Sequence, residues 1–182
     1  MSTETEIKVR INDAGDFRRN LSSWNPRPLS PRHFEDNHLL DFSDRRLRSN
    51  QCLLRIRFAE GASILTFKGP PQPEGVFKIR EELETAVENG AILLQALERI
   101  GMSVCFRYQK YREEFAIGNV HLAIDETPIG SYVEFEGPED EIRKLTPEMG
   151  IAEAQYLRAS YYSLYVENCR EKGEAPESMV FK

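Results

Sequence analysis

Charged side chains recur at every second position in segment after segment of this chain. Glu4, Glu6, Lys8 and Arg10 alternate with Thr5, Ile7, Val9 and Ile11, and Arg55 and Arg57 alternate with Leu54, Ile56 and Phe58. Lys68 stands opposite Leu65 and Phe67, while Lys78, Arg80, Glu82 and Glu84 oppose Phe77, Ile79 and Leu83. Lys110 and Arg112 oppose Tyr111 and Phe115, Asp125 opposes Val120, Leu122 and Ile124, and Glu134 and Glu136 oppose Val133 and Phe135. Several Arg and Lys together suit a polyanion, with Arg favoured for bidentate contact to phosphate oxygens. Carboxylate oxygens suit a hard divalent cation. A metal–triphosphate complex uses both sets at once. A bare anion leaves the carboxylates without a purpose, and a bare metal leaves the bases without one.

Period-2 alternation is the mark of strands, whose successive side chains point to opposite faces of a sheet. It predicts strands over residues 3–11, 32–42, 52–59, 62–68, 76–85, 103–115, 118–125 and 131–136. Residues 13–23 read as a short helix behind Asp13, and 86–100 as an amphipathic helix ending at Gly101. Further helices are expected from Pro138 and over 153–170. The Pro-rich 24–31 stretch reads as a loop, 43–50 as a turn, GPPQPEG as a loop, and 171–182 as a tail poorly ordered or docked late. The expected unit is a single tunnel domain over 1–170.

Wet charged faces on an open antiparallel sheet are the plain alternative. Two features favour a closed barrel instead. The charged faces hold few Ser, Thr, Asn or Gln spacers, and they mix both signs throughout the chain. In an α+β fold with a closed eight-stranded antiparallel barrel, the apolar faces lie outward under helices and the charged faces line a tunnel. Such a barrel can hold a small ligand. Unpaired charge inside it is costly, so the two signs must balance one another or a ligand. The sharpest structural consequence is that Glu4, Glu6, Arg55, Lys110 and Glu134 must converge on one interior cavity.

Composition removes other classes. The 182 residues carry a formal net charge of -6, which is no nucleic-acid footprint. No run of 18 apolar residues is present, so no membrane span is expected. The start, MSTETEIKVRI, has neither the basic nor the apolar region of a signal peptide. Three sparse cysteines, Cys52, Cys105 and Cys169, build no disulfide framework or zinc site and fit a reducing cytoplasm. Cys105 reads as a small core residue. His33, His38 and His121 are scattered and are assigned no metal.

With these residues in hand, the sequence resembles the CYTH superfamily, the triphosphate tunnel metalloenzymes. The resemblance rests on Glu4-Thr5-Glu6-Ile7-Lys8 (the ExExK pattern), Asn37 to Asp41, Leu54-Arg55-Ile56-Arg57, Leu65 to Pro70 (LTFKGP) and Arg80-Glu81-Glu82. It continues through Lys110-Tyr111-Arg112, Asp125, Glu134-Phe135-Glu136 and Ser160-Tyr161. The match is collinear from residue 4 to about 165. The family often has a basic residue beside the Ser-Tyr pair, and Arg158 is the nearest here.

The resemblance implies that Lys8, Arg55, Arg57, Lys68, Lys110 and Arg112 bind triphosphate, with Arg80 and Arg158 as further candidates. Lys8, Lys68, Lys110 and Arg112 would also be the catalytic set. Glu4, Glu6, Glu134 and Glu136, then Asp125 and Glu82, would hold one or two Mg²⁺ or Mn²⁺ ions. Ion pairs that merely balance one another are the alternative for every one of these residues. Arg10, Lys78 and Glu84 read as rim charges, and Asp41 as a turn residue at a strand end.

No Ser–His–Asp or Cys–His set is apparent, so catalysis would rest on positioning and electrostatics. The expected partner is a small-molecule triphosphate: ATP, inorganic triphosphate or another organic triphosphate. A homodimer stays open. Hydrolysis of that triphosphate is the first reading. A class IV-type adenylate cyclase, suggested by VHLAIDE and GSYVEFEG, is the second. A non-catalytic polyphosphate- or nucleotide-binding module is the third, and its carboxylates would then lack a use.

Overall fold

The computed structural model describes residues 2–182. Eight strands close a barrel: β1 (Ser2–Ile11), β2 (Arg27–Phe42), β3 (Leu53–Ala59), β4 (Ala62–Lys68), β5 (Lys78–Val87), β6 (Met102–Ile117), β7 (Val120–Thr127) and β8 (Gly130–Glu136). Their order around the barrel is β1-β5-β4-β3-β2-β6-β7-β8, and each neighbouring pair is antiparallel. Outside lie α1 (Ala14–Leu21), α2 (Arg46–Ser49), α3 (Gly90–Arg99), α4 (Glu139–Glu148) and α5 (Tyr161–Lys172). Among the described residues no helix is long and apolar enough to cross a membrane.

The alternation in β1 sends Ile7 and Val9 outward and Glu4, Glu6 and Lys8 inward, and both sets are buried. Ile7 and Val9 join Leu122, Ile124, Val133 and Phe135 in a core shared with Ile142 and Leu145 of α4 and with Leu21 of α1. Leu40, Ile56 and Met102 are covered by Leu93, Leu94 and Leu97 of α3. The third cluster, around Phe106, Tyr108, Tyr132 and Tyr161, packs the first turns of α5 into the barrel end where β2 and β4 finish. Each fully buried apolar side chain contributes about 1.5–3 kcal/mol. These outward cores must offset an interior whose charges each cost several kcal/mol to desolvate.

Several local expectations change. The Pro-rich stretch is not a loop, because β2 begins at Arg27. Its first half pairs only with β6, while β3 joins from Glu35 onward. Pro28 and Pro31 therefore sit on an edge interrupted by register shifts, which is where a strand tolerates proline. The expected helix over 86–100 starts later, because β5 runs to Val87 and Asn89 caps α3 by accepting the Ile92 N–H at 3.0 Å. Gly90 is required there, since an added Cβ would stand 2.5 Å from the Ser63 hydroxyl.

The helix expected over 153–170 divides. A 3-10 turn covers 153–155, an extended segment follows, and α5 starts behind Ser160, whose hydroxyl accepts the Ser163 N–H. The break has a cause: Leu157 exchanges both backbone hydrogen bonds with Lys8 of β1. Cys105 is exposed rather than in the core. Phe106 pairs with Leu39 and Val104 with Leu40, so Cys105 is the extra residue of a bulge and its side chain leaves the alternation. The tail is docked: Met179 is 1% exposed and pairs with β6 through its N–H to Arg107 and its carbonyl from Gln109. Asp41 behaves as expected, accepting the N–H groups of Phe42, Leu47 and Arg48 at the start of α2.

Candidate active site

Closure of the barrel brings Glu4, Glu6, Arg55, Lys110 and Glu134 to one interior cavity of about 350 Å³. Lys8, Arg57, Lys68, Arg80, Glu82, Arg112 and Glu136 line it as well. Lys78, read as a rim charge, is also inside, with its ammonium 2.8 Å from Glu6. Glu84 borders the cavity half-exposed, and Arg10 stays at the rim, donating to the Ile129 carbonyl.

Most of the interior charge is paired. Lys8 lies 2.8 Å from Glu134, Arg80 3.2 Å from Glu4, and Lys68 3.2 Å from Glu82. Arg112 bridges Asp125 and Glu134. Burial works against ionised Glu6, yet Lys78 and Lys8 beside it hold its carboxyl down to about 2. Burial likewise opposes the Glu134 carboxylate, and Lys8 and Arg112 overcome it, so its pKa falls well below the usual range.

Two places are less well balanced, and they differ in sign. On the β3 side, Arg55 donates to the neutral Tyr108 hydroxyl at 3.2 Å and Thr66 hydroxyl at 3.1 Å, and its ion-pair partner, the half-exposed Glu84, is 3.8 Å away. Burial and then the Arg55 charge lower the pKa of Arg57, whose nearest carboxylate oxygen, on Glu35, is 3.4 Å away. The Nε of Arg55 and the Nε of Arg57 are both buried without a hydrogen-bond partner. Burial alone would raise the Tyr108 phenol, but Arg55 and Lys110 outweigh it and lower its pKa. This region carries a positive field with donors to spare.

The other place lies across the barrel. Desolvation, and then the nearby Glu4 and Glu82 charges, push the Glu136 carboxyl up to about 7. Glu136 is solvent-exposed at the mouth, where water screens part of that repulsion. Burial first, and Glu4 in addition, raise the Glu82 carboxyl despite Lys68 beside it. Carboxylates that repel one another suit a divalent cation. Among the described residues no three His, Cys, Asp or Glu side chains converge on one point. An ion such as Mg²⁺ is commonly held by one or two carboxylates plus substrate phosphate oxygens rather than by an all-protein cage, so the donor set fits.

Two candidates stand elsewhere. Asp125 is fully buried and accepts from Lys110 at 2.9 Å, Arg112 at 2.7 and 2.6 Å, and the Tyr161 hydroxyl at 2.6 Å. It stands behind the cavity wall as the anchor of two cavity bases, where protein donors already use its oxygens. Arg158 donates to the carbonyls of Gln72, Pro73 and Gly75, so its guanidinium ties down the 69–77 loop outside the cavity lining.

The sequence reading missed Glu35, 1% exposed and within 3.5 Å of both Lys110 and Arg57. It also missed Asn37, Thr66 and Tyr108 on the same inward face, and the His121–Glu114 pair on the cavity wall. Sorting residues 33, 35, 37 and 39 by face would have found Glu35 and Asn37. Thr66 and Tyr108 carry no charge that alternation would flag.

Comparison with known proteins agrees with this architecture. A Methanocaldococcus jannaschii protein named "Putative adenylate cyclase MJ0240" is 27% identical over 172 residues, spanning 88% of this chain and 97% of its own. The structure of a Vibrio parahaemolyticus protein, described as a putative adenylate cyclase, superposes with a TM-score of 0.75 at 21% identity, covering 88% of this chain and 95% of that one. The Hippeastrum protein HpAC1, described as a putative adenylyl cyclase with a dominant triphosphatase activity, superposes with a TM-score of 0.65 at 18% identity, covering 95% and 97%. At such identities the structural likeness concerns the fold. The CYTH domain matches residues 2–161, the whole barrel and its charged interior, and the chain belongs to that family.

Proposed function

We propose that this chain is a divalent-metal-dependent enzyme that hydrolyses a triphosphate held inside the barrel. The observation that carries this reading is the separation of charge within one cavity: buried guanidinium Nε donors without a hydrogen-bond partner at Arg55 and Arg57, and a Glu136 carboxyl raised by burial and by the neighbouring Glu4 and Glu82 charges. A metal–triphosphate complex satisfies both sides, whereas a metal-free anion would leave the carboxylates repelling one another.

Arg55, Arg57 and Arg112, with Lys8, Lys68 and Lys110, are the groups to hold phosphate oxygens and to neutralise charge as it develops on them. Glu136 and Glu82, with Glu4, Glu6 and Glu134 beside them, are the groups to hold Mg²⁺ or Mn²⁺. When bound, that ion supplies Lewis acidity toward phosphate oxygens and toward a water molecule. Water oxygen bonds to the terminal phosphorus as the bond between that phosphorus and the bridging oxygen breaks; the diphosphate portion leaves with the electron pair, and the water's proton is released to solvent as free phosphate forms.

A second reading, cyclisation of ATP to cyclic AMP and pyrophosphate, is favoured by the names carried by the Methanocaldococcus and Vibrio relatives. The activity described for the Hippeastrum protein favours hydrolysis. Incubation with ATP or inorganic triphosphate, with Mg²⁺ or Mn²⁺ and with excess chelator, followed by chromatography, separates the readings. Free phosphate that disappears with chelator supports the hydrolase, and cyclic AMP with pyrophosphate establishes the cyclase. Tight triphosphate binding with no product overturns both in favour of a binding module.

A further inference from the structure

Glu35 of β2 stands behind the cavity wall between two of the cavity bases. Lys110 of β6 is its direct ladder partner, and Arg57 of β3 pairs with the next inward residue, Asn37. Lys110 Nζ is 3.5 Å from Oε2 of Glu35, Arg57 Nη1 3.4 Å from Oε1 and His33 Nε2 3.5 Å from Oε1. Oε1 is nevertheless buried without a hydrogen-bond partner. Asp125 holds the same Lys110 at 2.9 Å and Arg112 at 2.6 Å. Asp125 is therefore a tight anchor, and Glu35 a loose counter-charge. Burial opposes the Glu35 carboxylate, but Lys110, His33, Arg112 and Arg57 outweigh it and hold its pKa well below the usual range.

His33 faces an acceptor at each ring nitrogen: Glu35 at Nε2 and the Pro31 carbonyl, 2.9 Å away, at Nδ1. A neutral imidazole has one N–H, which leaves the other nitrogen's lone pair against an acceptor, whereas an imidazolium donates to both. The Ser30 hydroxyl lies 3.1 Å from Nδ1, Arg112 of β6 is the ladder partner of His33, and Glu114 of β6 adds a negative charge. On the other side β3 ends at the level of Glu35, where Ala59 is the partner. Glu35, against burial and with help from the Pro31 carbonyl, holds the imidazole above its ordinary pKa.

We propose that Glu35 is a positioning residue for the phosphate cradle. It holds Lys110 and Arg57 while the cavity is empty and yields them to phosphate oxygens when a polyanion enters, and His33 then takes a proton from solvent to balance the carboxylate. The physical reason is the cost of a buried carboxylate that has lost its counter-charges. The proposal rests on reading the cavity as a triphosphate site. By linkage, a ligand that raises the proton affinity of His33 binds tighter when His33 is protonated. That gain is complete below the pKa of His33 in the empty chain and is lost as pH rises through its pKa in the complex.

The test follows the Cε1–H resonance of His33 by NMR across pH, identified by its loss in His33→Asn, with and without saturating magnesium and inorganic triphosphate. Saturation should raise the proton affinity of His33 about fivefold or more, the lower end of coupling between linked sites. In Glu35→Gln the midpoint of the empty chain should fall and the response to ligand should disappear, which a merely structural Glu35 would not cause. Should Glu35→Gln fail to fold, calorimetry on His33→Asn serves. Its triphosphate affinity should lack the fall, again about fivefold, that the wild type shows between about pH 6 and about pH 8. Wild-type binding that leaves the His33 midpoint unmoved overturns the proposal while the triphosphate site stands. An undiminished response in Glu35→Gln also overturns it, because the ligand's own field then acts on His33 directly. Failure of the wild-type chain to bind triphosphate sinks the triphosphate reading and this proposal with it.

Discussion

The Tyr161 hydroxyl donates to Oδ2 of Asp125 across 2.6 Å, joining the first turn of α5 to the wall of β7 at a fully buried carboxylate. Asp125 also takes Lys110 and Arg112, so one acid fixes two bases of the cavity and the helix that closes its end. The Tyr161 ring lies 4.4 Å beneath the Lys8 ammonium, adding a cation–π contact to the same junction.

Tyr161→Phe keeps that ring and removes only the hydroxyl. A buried hydrogen bond to a charged acceptor contributes about 1.5–3 kcal/mol. Urea denaturation should show a loss in this range, with far-UV circular dichroism unchanged. A variant as stable as the wild type would mean that Asp125 is satisfied without α5.

Arg57 presents the opposite case. Burial, Arg55 and Arg112 all disfavour its charge, and Glu35 compensates from 3.4 Å. Arg57→Gln should therefore change the denaturation midpoint little. Triphosphate affinity should fall by roughly tenfold or more, the worth of one charge-assisted contact. Calorimetry on the folded variant checks this, and undiminished affinity would remove Arg57 from the phosphate cradle.

The docked tail is a structural element. Truncation before Glu174 removes the buried Met179 side chain and its two backbone bonds to β6. Burial of a Met side chain alone contributes about 1.5–3 kcal/mol. The truncated chain should unfold at lower denaturant, with faster hydrogen exchange at Arg107 to Gln109. Unchanged stability would restore the view of the tail as an appendage.

Glu126 joins Arg32 of β2 to Arg18 of α1. The bidentate bond from Arg32, with Arg18 in support, lowers its carboxyl to about 2 against an ordinary 4.5. A folded pKa below the unfolded one stabilises the protein above pH 4.5 and loses that contribution as pH falls through about 2. Glu126→Gln should be less stable at pH 7 by about 1 kcal/mol, a value limited by the group's partial exposure. The gap between variant and wild type should close toward pH 2. A gap independent of pH would mean that packing, not charge, holds this contact.

Legibility followed the range of each interaction. β1 was readable because Glu4, Glu6 and Lys8 share a face for purely local reasons, and so were Arg55–Arg57, Lys110–Arg112 and Glu134–Glu136. Glu35 was hidden because the strand carrying it begins in a Pro-rich edge and its inward set, His33, Glu35, Asn37 and Leu39, mixes chemical types. Cys105 was misplaced because a single bulge reverses the alternation on which such readings depend. Arg158 lies two residues from the Ser-Tyr pair, yet Leu157 bonds to Lys8 there and turns the chain, aiming Arg158 at loop carbonyls.

By itself the sequence determined which side chains share a face, since strand geometry repeats every two residues whatever the neighbours are. It thereby determined a mixed-charge interior and an apolar exterior. Only the tertiary structure decided how each charge is used. Asp125 meets Lys110, Arg112 and Tyr161, while Glu136 lies in the repelling field of Glu4 and Glu82, because the register and closure of eight strands set which groups approach one another. Electrostatic energy depends on separation and burial, which no local pattern encodes.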